Sequence, residues 1–317
     1  LEHAPVMKVS AATGQGLDAL VQEIDHMMQD EVEEKDITTI PRLPVDRVFS
    51  LSGFGTIITG TLLSGTITKE DTLEIYPIGK TSKIRSIQVH GEDQECCYAG
   101  QRVAINLPNV KKRELSRGCV LAPPNSMKNT DLLDVKVNIL KSSMRVLTNH
   151  TRLHLFTGTS EILCRAVLLD KEEIGPGESG YVQLRLEEEI ALRRGDKFVI
   201  RFYSPMETIG GGVVLEPNPV IHRRFQEPVI EDLKRKESGS SIDVIELRVR
   251  EHGEDLLTQA EVARLTAMSP EEVAEDVQAL KDSGVILTFA TRKDLYLWHV
   301  GSEKLMRQKI LEALKQY

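Results

Sequence analysis

The sequence predicts a mainly β protein, with two small barrels in tandem followed by a C-terminal α+β part. Three observations lead there. Between residues 40 and 221, short β-branched runs recur, punctuated by Gly53, Gly55, Gly65, Gly79, Gly91 and Gly100; their spacing is roughly the 8–12 residues of small all-β folds. No long helical stripe interrupts that region. After Pro217 and Pro219 the apolar residues recur with a helical period instead.

In chain order, residues 1–38 come first. Val6-Met7-Lys8-Val9-Ser10-Ala11 alternate like a strand, Thr13-Gly14-Gln15-Gly16 form a turn, and Leu17, Leu20, Val21, Ile24, Met27 and Met28 make a helical stripe. One such βα unit is too small to bury a core, so it is expected to be the C-terminal end of a larger α/β domain. The acidic stretch 30–36 reads as a helix end running into a linker. Residues 40–125 predict the first barrel, with strands over 45–51, 56–63, 72–78, 83–89 and 102–107, closed off by Pro123-Pro124-Asn125. Residues 129–218 predict the second, with strands over 132–140, 151–156, 161–169, 180–186, 197–203 and 210–215. Helices are expected near 222–237, 242–252, 258–267 and 270–283, then a hairpin of 285–290 with 295–299. Three helices closed by a two-stranded hairpin make a winged-helix pattern over 222–300, and 301–317 starts another such module.

Composition narrows the class. With 40% hydrophobic and 28% charged residues, the 317-residue chain has the make-up of a soluble globular protein. No apolar run approaches the roughly 20 residues of a membrane span. Cys96, Cys97, Cys119 and Cys164 show neither a CxxC pair nor histidines at zinc-finger spacing, so no metal site is expected. Reduced thiols of a cytoplasmic protein fit this pattern. The net charge of −8 is uneven. Residues 1–39 carry 2 Lys/Arg against 9 Asp/Glu, residues 40–221 carry 23 against 21, and the rest 15 against 18. A polyanionic partner is therefore expected on the middle segment.

Two motifs point toward translation. Val9-Ser10-Ala11-Ala12-Thr13-Gly14-Gln15-Gly16-Leu17 places small side chains and backbone amides in a turn entering a helix. It resembles the last guanine-contacting segment of translational GTPases, with Ser10 and Ala11 as its remnant. Pro44-Val45-Asp46-Arg47-Val48-Phe49-Ser50, followed by Gly53-Phe54-Gly55-Thr56-Ile57-Ile58-Thr59-Gly60-Thr61, resembles the opening of their second domain, where glycines permit a sharp bend at a barrel corner. Lys111-Lys112-Arg113-Glu114-Leu115-Ser116-Arg117-Gly118, His154-Leu155-Phe156-Thr157-Gly158-Thr159-Ser160-Glu161 and Gly210-Gly211-Gly212-Val213-Val214-Leu215-Glu216-Pro217 extend the resemblance along both barrels. Barrels followed by a winged helix are similar to the bacterial selenocysteine-specific elongation factors. The one Gly-Lys-Thr run, Gly79-Lys80-Thr81, has Glu74 where a P-loop needs its first glycine, and no Asn-Lys-x-Asp motif occurs. This chain is therefore expected neither to bind nor to hydrolyse GTP, lacking most of the GTPase domain and the terminal winged helices.

The resemblance implies an aminoacyl pocket formed by Asp46, Arg47 and Arg85. A selenol is more acidic than a thiol, which itself titrates near about 8.5, so two arginines would favour selenocysteine over neutral serine while Asp46 takes the α-amino group. Lys111, Lys112, Arg113, Arg145, Arg152 and His154 are candidate tRNA contacts. The implied partners are selenocysteyl-tRNA, the ribosome and, through further domains, a selenoprotein mRNA hairpin. GTP and Mg would belong to the full-length protein. The helix over 271–282 carries five acidic residues and one lysine, which would repel phosphate, and reads as a spacer. Two alternatives remain open at this point: a winged-helix transcriptional regulator with a β-rich sensing region, and a translational GTPase of another branch.

Overall fold

The computed structural model describes residues 5–30, 35, 37–51, 55–253, 255–266, 268, 270–291 and 294–315. Gly53, Phe54 and most of the acidic stretch after Asp30 lie outside them. The chain divides into two units, Leu1–Asp36 and Ile37–Tyr317.

The first unit is a turn and one helix, α1 (Leu17–Asp30). Residues 5–10 form no strand, contrary to the alternation of Val6–Ala11. A strand needs a partner for its amides, and the described residues of this unit supply none. The loop instead closes on itself: Ser10 N–H donates to Gln15 O at 2.9 Å and Gly14 N–H to Ser10 O at 2.9 Å. Gly16 has φ of +76°, and a Cβ there would collide with the Lys8 carbonyl.

The second unit opens with β1 (Leu43–Leu51), β2 (Gly55–Thr61), β3 (Thr66–Thr68), β4 (Thr72–Tyr76), β5 (Lys80–Lys83), β6 (Ser86–Val89), β7 (Glu92–Gln94), β8 (Cys96–Tyr98), β9 (Arg102–Leu107) and β10 (Val120–Ala122). Eight of these curl into one antiparallel sheet in the order β5-β4-β10-β1-β2-β9-β6-β7, and β3 pairs with β8. Strand β1 belongs to both halves because a bulge between Val45 and Arg47 turns it. Its inward side chains, with Ile58, Leu73, Ile75, Ile87 and Ile105, fill one core. The single strand expected over 83–89 is in fact two, because Ile84 and Arg85 break the run and bond to Asp71 O and Asn106 O.

Next come β11 (Asn129–Ile139), β12 (Leu147–Thr148), β13 (Arg152–Thr157), β14 (Ser160–Leu168), β15 (Glu173–Ile174), β16 (Ser179–Ala191), β17 (Lys197–Phe202) and β18 (Thr208–Glu216). Six of them close completely as β11-β16-β14-β13-β17-β18. Closure depends on Gly210, Gly211 and Gly212, where an added Cβ would strike the carbonyls of Asn138, Phe198 and Lys136 on the two flanking strands.

The barrels are joined by Arg42, which donates to Asp196 through Nη1 (2.6 Å) and Nη2 (2.5 Å) with both side chains largely buried. Beside this pair Tyr76, Val120, Ala122 and Ala191 form an apolar seam. Helix α2 (Glu227–Ser238) lies on the outside of the second barrel through Ile230 and Leu233. It starts later than the sequence suggests because residues 222–226 are bonded to the barrel: His222 Nε2 meets Asp134 Oδ2 at 2.9 Å, and Arg224 Nε donates to Leu168 O at 2.9 Å. Then follow α3 (Ser241–Glu251), β19 (Leu257–Thr258), α4 (Gln259–Thr266), α5 (Pro270–Asp282), β20 (Ile286–Ala290), β21 (Leu295–His299) and α6 (Val300–Lys315). Ile245, Val262, Val273, Val277 and Leu297 share one core. Reciprocal capping bonds between Ser240 and Asp243, and between Thr258 and Glu261, start α3 and α4.

Breaking a buried ion pair by removing one partner costs roughly 3 kcal/mol or more. Arg42→Leu is expected to lower the urea-unfolding free energy by about that amount. Arg42→Leu with Asp196→Leu is expected to lose less, and equal losses would show that the pair does not hold the barrels together.

Candidate functional site

The outer face of the first barrel's sheet carries the predicted pocket residues, and strand register fixes their spacing. Arg47 pairs with Thr59, Thr59 with Ala104, and Ala104 with Gln88, so one row runs across four strands. At a strand spacing of about 4.8 Å, Gln88 at the far end of that row lies about 14 Å from Arg47, and Arg85 sits three residues before Gln88, outside β6.

Asp46 sits in the β1 bulge and is held by residues far along the chain. Arg102 donates to it through Nη1 at 2.5 Å and Nη2 at 3.2 Å, and Thr59 Oγ1 donates at 2.6 Å. Partial burial would raise the Asp46 pKa, but the Arg102 and Thr59 hydrogen bonds and the charges of Arg102 and Arg47 outweigh it, so the carboxyl sits below its ordinary value. Both Asp46 oxygens are therefore already engaged, and Arg47 is exposed.

Arg85 is separate from that cluster. It lines a hollow of about 290 Å³ with Ile57, Ser86, Gln88, Asp93, Ala104 and Asn106. Asp93 accepts from Gln88 Nε2 at 2.9 Å. The structure thus does not unite Asp46, Arg47 and Arg85 in one pocket. The carboxylate beside Arg85 is Asp93, which the sequence reading missed. The only available signal was the β6–β7 hairpin, which folds Asp93 back opposite Gln88.

The candidate tRNA contacts fall in three places. Lys111, Lys112 and Arg113 are exposed around a short 3-10 turn and make no ion pair among the described residues. On the second barrel Arg152 is forked onto Glu187 at 2.8 and 2.7 Å, with its guanidinium 4.5 Å from the Tyr203 ring centre. His154 stacks on Tyr203 at 5.5 Å and meets Glu161 at 3.1 Å. Arg145 covers the Phe202 ring at 3.6 Å. Three of the six are thus held against aromatic rings. In the N-terminal loop the Ser10 N–H is spent on Gln15, while Ala11 is exposed.

No strand–loop–helix phosphate cradle fits GTP among the described residues. Gly79-Lys80-Thr81 lies at the β4–β5 turn. No cluster of three or more metal-ligating side chains occurs among them either. No helix of the described residues is long and apolar enough to cross a membrane. The exposed side of α5 carries Glu272, Glu275 and Asp282, with Lys281 as a lone cation.

Paired barrels of this order, with cations set on their outer faces, define a translation-factor class. The family model described as "Elongation factor Tu domain 2" matches residues 55–122, and "Selenocysteine-specific elongation factor, beta-barrel domain" matches residues 134–220. A selenocysteine-specific elongation factor of Desulfomicrobium baculatum is 34% identical over 294 residues, covering 93% of this chain and 46% of that protein. The crystal structure of a bacterial selenocysteine-specific elongation factor matches with a TM-score of 0.77 at 27% identity, over 98% of this chain and 48% of that one. The Methanococcus maripaludis factor, solved in complex with a GTP analogue, matches with a TM-score of 0.60 at 25% identity, over 73% of this chain and 53% of that one. The chain belongs to the selenocysteine-specific elongation factor family. It spans about half the length of the relatives it matches.

Arg102 holds Asp46 ionised, so the pair stabilises the fold above the unfolded carboxyl pKa and loses that contribution as pH falls through the lower folded value. Arg102→Gln is expected to raise the Asp46 titration midpoint, followed by carboxyl-carbon NMR. An unchanged midpoint would mean the pair does not form in solution.

Proposed function

We propose that this chain is the tRNA-gripping part of a selenocysteine-specific elongation factor, with the hollow beside Arg85 receiving the aminoacyl group. The observation that carries this reading is that Arg85 and Asp93 line one hollow of about 290 Å³ together with Ile57 and Ala104. A guanidinium favours an anionic selenolate over a neutral hydroxyl, because a charge-assisted hydrogen bond is about twice as strong as a neutral one. Asp93 supplies the opposite charge for the α-amino group. Asp46 and Arg47 enter as the neighbouring edge of this surface, with Asp46 fixed by Arg102.

Lys111, Lys112, Arg113, Arg145, Arg152 and His154 are assigned to the acceptor-stem backbone, where phosphate contacts supply affinity without reading sequence. Ser10 and Ala11 belong to a guanine-contacting loop. The residues described here do not fit GTP or Mg, so both are assigned to a nucleotide-binding domain outside them, and the chain by itself would not hydrolyse GTP. The module after Pro219, with its acidic α5, acts as a spacer toward domains that reach the mRNA hairpin on the ribosome, in the cytoplasm.

The test compares GTP-dependent binding of selenocysteyl- and seryl-tRNA on one tRNA body, with the chain carried behind such a nucleotide-binding domain. A strong preference for the selenocysteyl form is expected. Arg85→Ala removes a charged hydrogen bond worth roughly 1.5–3 kcal/mol, and so about tenfold to a hundredfold in affinity for that form alone. Equal loss for both aminoacyl groups would reduce Arg85 to a general phosphate contact.

A further inference from the structure

A larger hollow, of about 400 Å³, lies where the second barrel meets the helical part, apart from the Arg85 surface. Lys128, Arg193, Arg194, Arg248 and His252 line it with one carboxylate, Glu216. That carboxylate is already neutralised. Arg248 approaches Glu216 Oε2 at 2.7 Å and Lys236 approaches it at 3.1 Å. Burial would raise the Glu216 pKa, yet those two cations pull it below its ordinary value.

Among the described residues, Lys128, Arg193 and Arg194 make no salt bridge with a carboxylate. Arg194 donates to a neutral acceptor, the Lys236 carbonyl. Lys128 is exposed and makes no ion pair among the described residues. Arg193 is the unusual one. Its Nε and Nη2 are shut off from solvent and meet no acceptor. The nearby carboxylate, Asp196, is taken at both oxygens by Arg42, and bonds only the main-chain N–H of Arg193 at 2.9 Å. Burial, and then the charge of Arg42, lower the Arg193 pKa to about 10, which still leaves it charged at neutral pH.

A buried guanidinium without an acceptor is unfavourable, and a multivalent oxyanion is the ligand that relieves it most fully. Guanidinium groups match phosphate oxygens through a planar fork. The surplus of lysine and arginine and the concavity point to the same ligand chemistry, with the Arg193 guanidinium, whose buried charge no carboxylate matches, among the lining groups. We propose that this hollow binds a phosphate group, held by Arg193 and Lys128, at the junction of the second barrel with the helical part. The phosphate could be a free ion, part of a mononucleotide or part of an RNA strand. In each case it would bridge the turn before β17, the linker between the barrels and the α3 edge.

Isothermal titration of the intact chain with inorganic phosphate, adenosine 5′-monophosphate and hexauridylate tests the assignment in its three arms. Saturable binding to at least one probe is expected, weakened about tenfold or more in both Arg193→Gln and Lys128→Gln. The probe bound most tightly names the source, and equal affinities mean that the phosphate group alone is read. Phosphate should raise the melting temperature of the unaltered chain and leave that of Arg193→Gln unmoved. Absence of saturable binding by all three probes up to about 10 mM, or affinities unchanged in both variants, would overturn the proposal. If Arg193→Gln does not fold, Lys128→Gln alone decides, because its side chain is exposed.

Discussion

Arg42 and Asp196 are 154 residues apart in sequence and bonded at both ends of a guanidinium–carboxylate fork. That fork is the constraint on which the relation of the two barrels rests. Each barrel has its own apolar core. Beside the fork, an apolar seam of Tyr76, Val120, Ala122 and Ala191 and the bonds of Arg117 Nε to Thr159 O and of Ser160 Oγ to Gly118 O also cross between the barrels. A bidentate ion pair is directional, and in a half-dry seam it is screened little by salt. Asp196 also accepts the Arg193 amide, so the same carboxylate orders the turn that leads from β16 to β17. With both of its oxygens on Arg42, Asp196 leaves Arg193 Nε and Nη2 without an acceptor.

Function is displaced to the outer faces by the same packing. The inner faces of both barrels are filled by Leu, Ile and Val, which leaves no interior for a ligand. Polar and charged residues alternate outward, and the register of β1, β2, β9 and β6 lines them up in rows across the sheet. A hollow forms where small or short outward residues, Ala104 and Ser86, sit between longer ones. On the second barrel the candidate contacts are not free-standing: Arg145, Arg152 and His154 rest on Phe202 and Tyr203, which fixes their position at low entropic cost.

The helical part is anchored differently. Ile230 and Leu233 of α2 press on the second barrel, and the Glu216 cluster ties in α3 through Arg248. Glu216 is 3% exposed, yet it stays ionised because two cations outweigh its burial. Folding within this part is local: its caps lie three residues from their partners, so short-range sequence signals located its helices to within a few residues, α2 excepted.

Alternation, glycine spacing and the change of period after Pro219 were enough to announce two barrels and a helical module, because those features act within a few residues. The same local rules misread Val6–Ala11, where alternation was present and no partner strand was, and 83–89, where Ile84 and Arg85 turn aside to bond Asp71 and Asn106. Which residues form a site was a tertiary matter. The resemblance groups Asp46 with Arg47 and Arg85, whereas the folded chain bonds it to Arg102, 56 residues on. Asp93, the carboxylate beside Arg85, carried no motif at all. By itself the sequence determined the elements, the two barrel cores and the family they belong to, since each depends on periodic burial along the chain. Only the tertiary structure decided which charges face each other, because a fork of hydrogen bonds depends on distance in space and a linear spacing does not contain it.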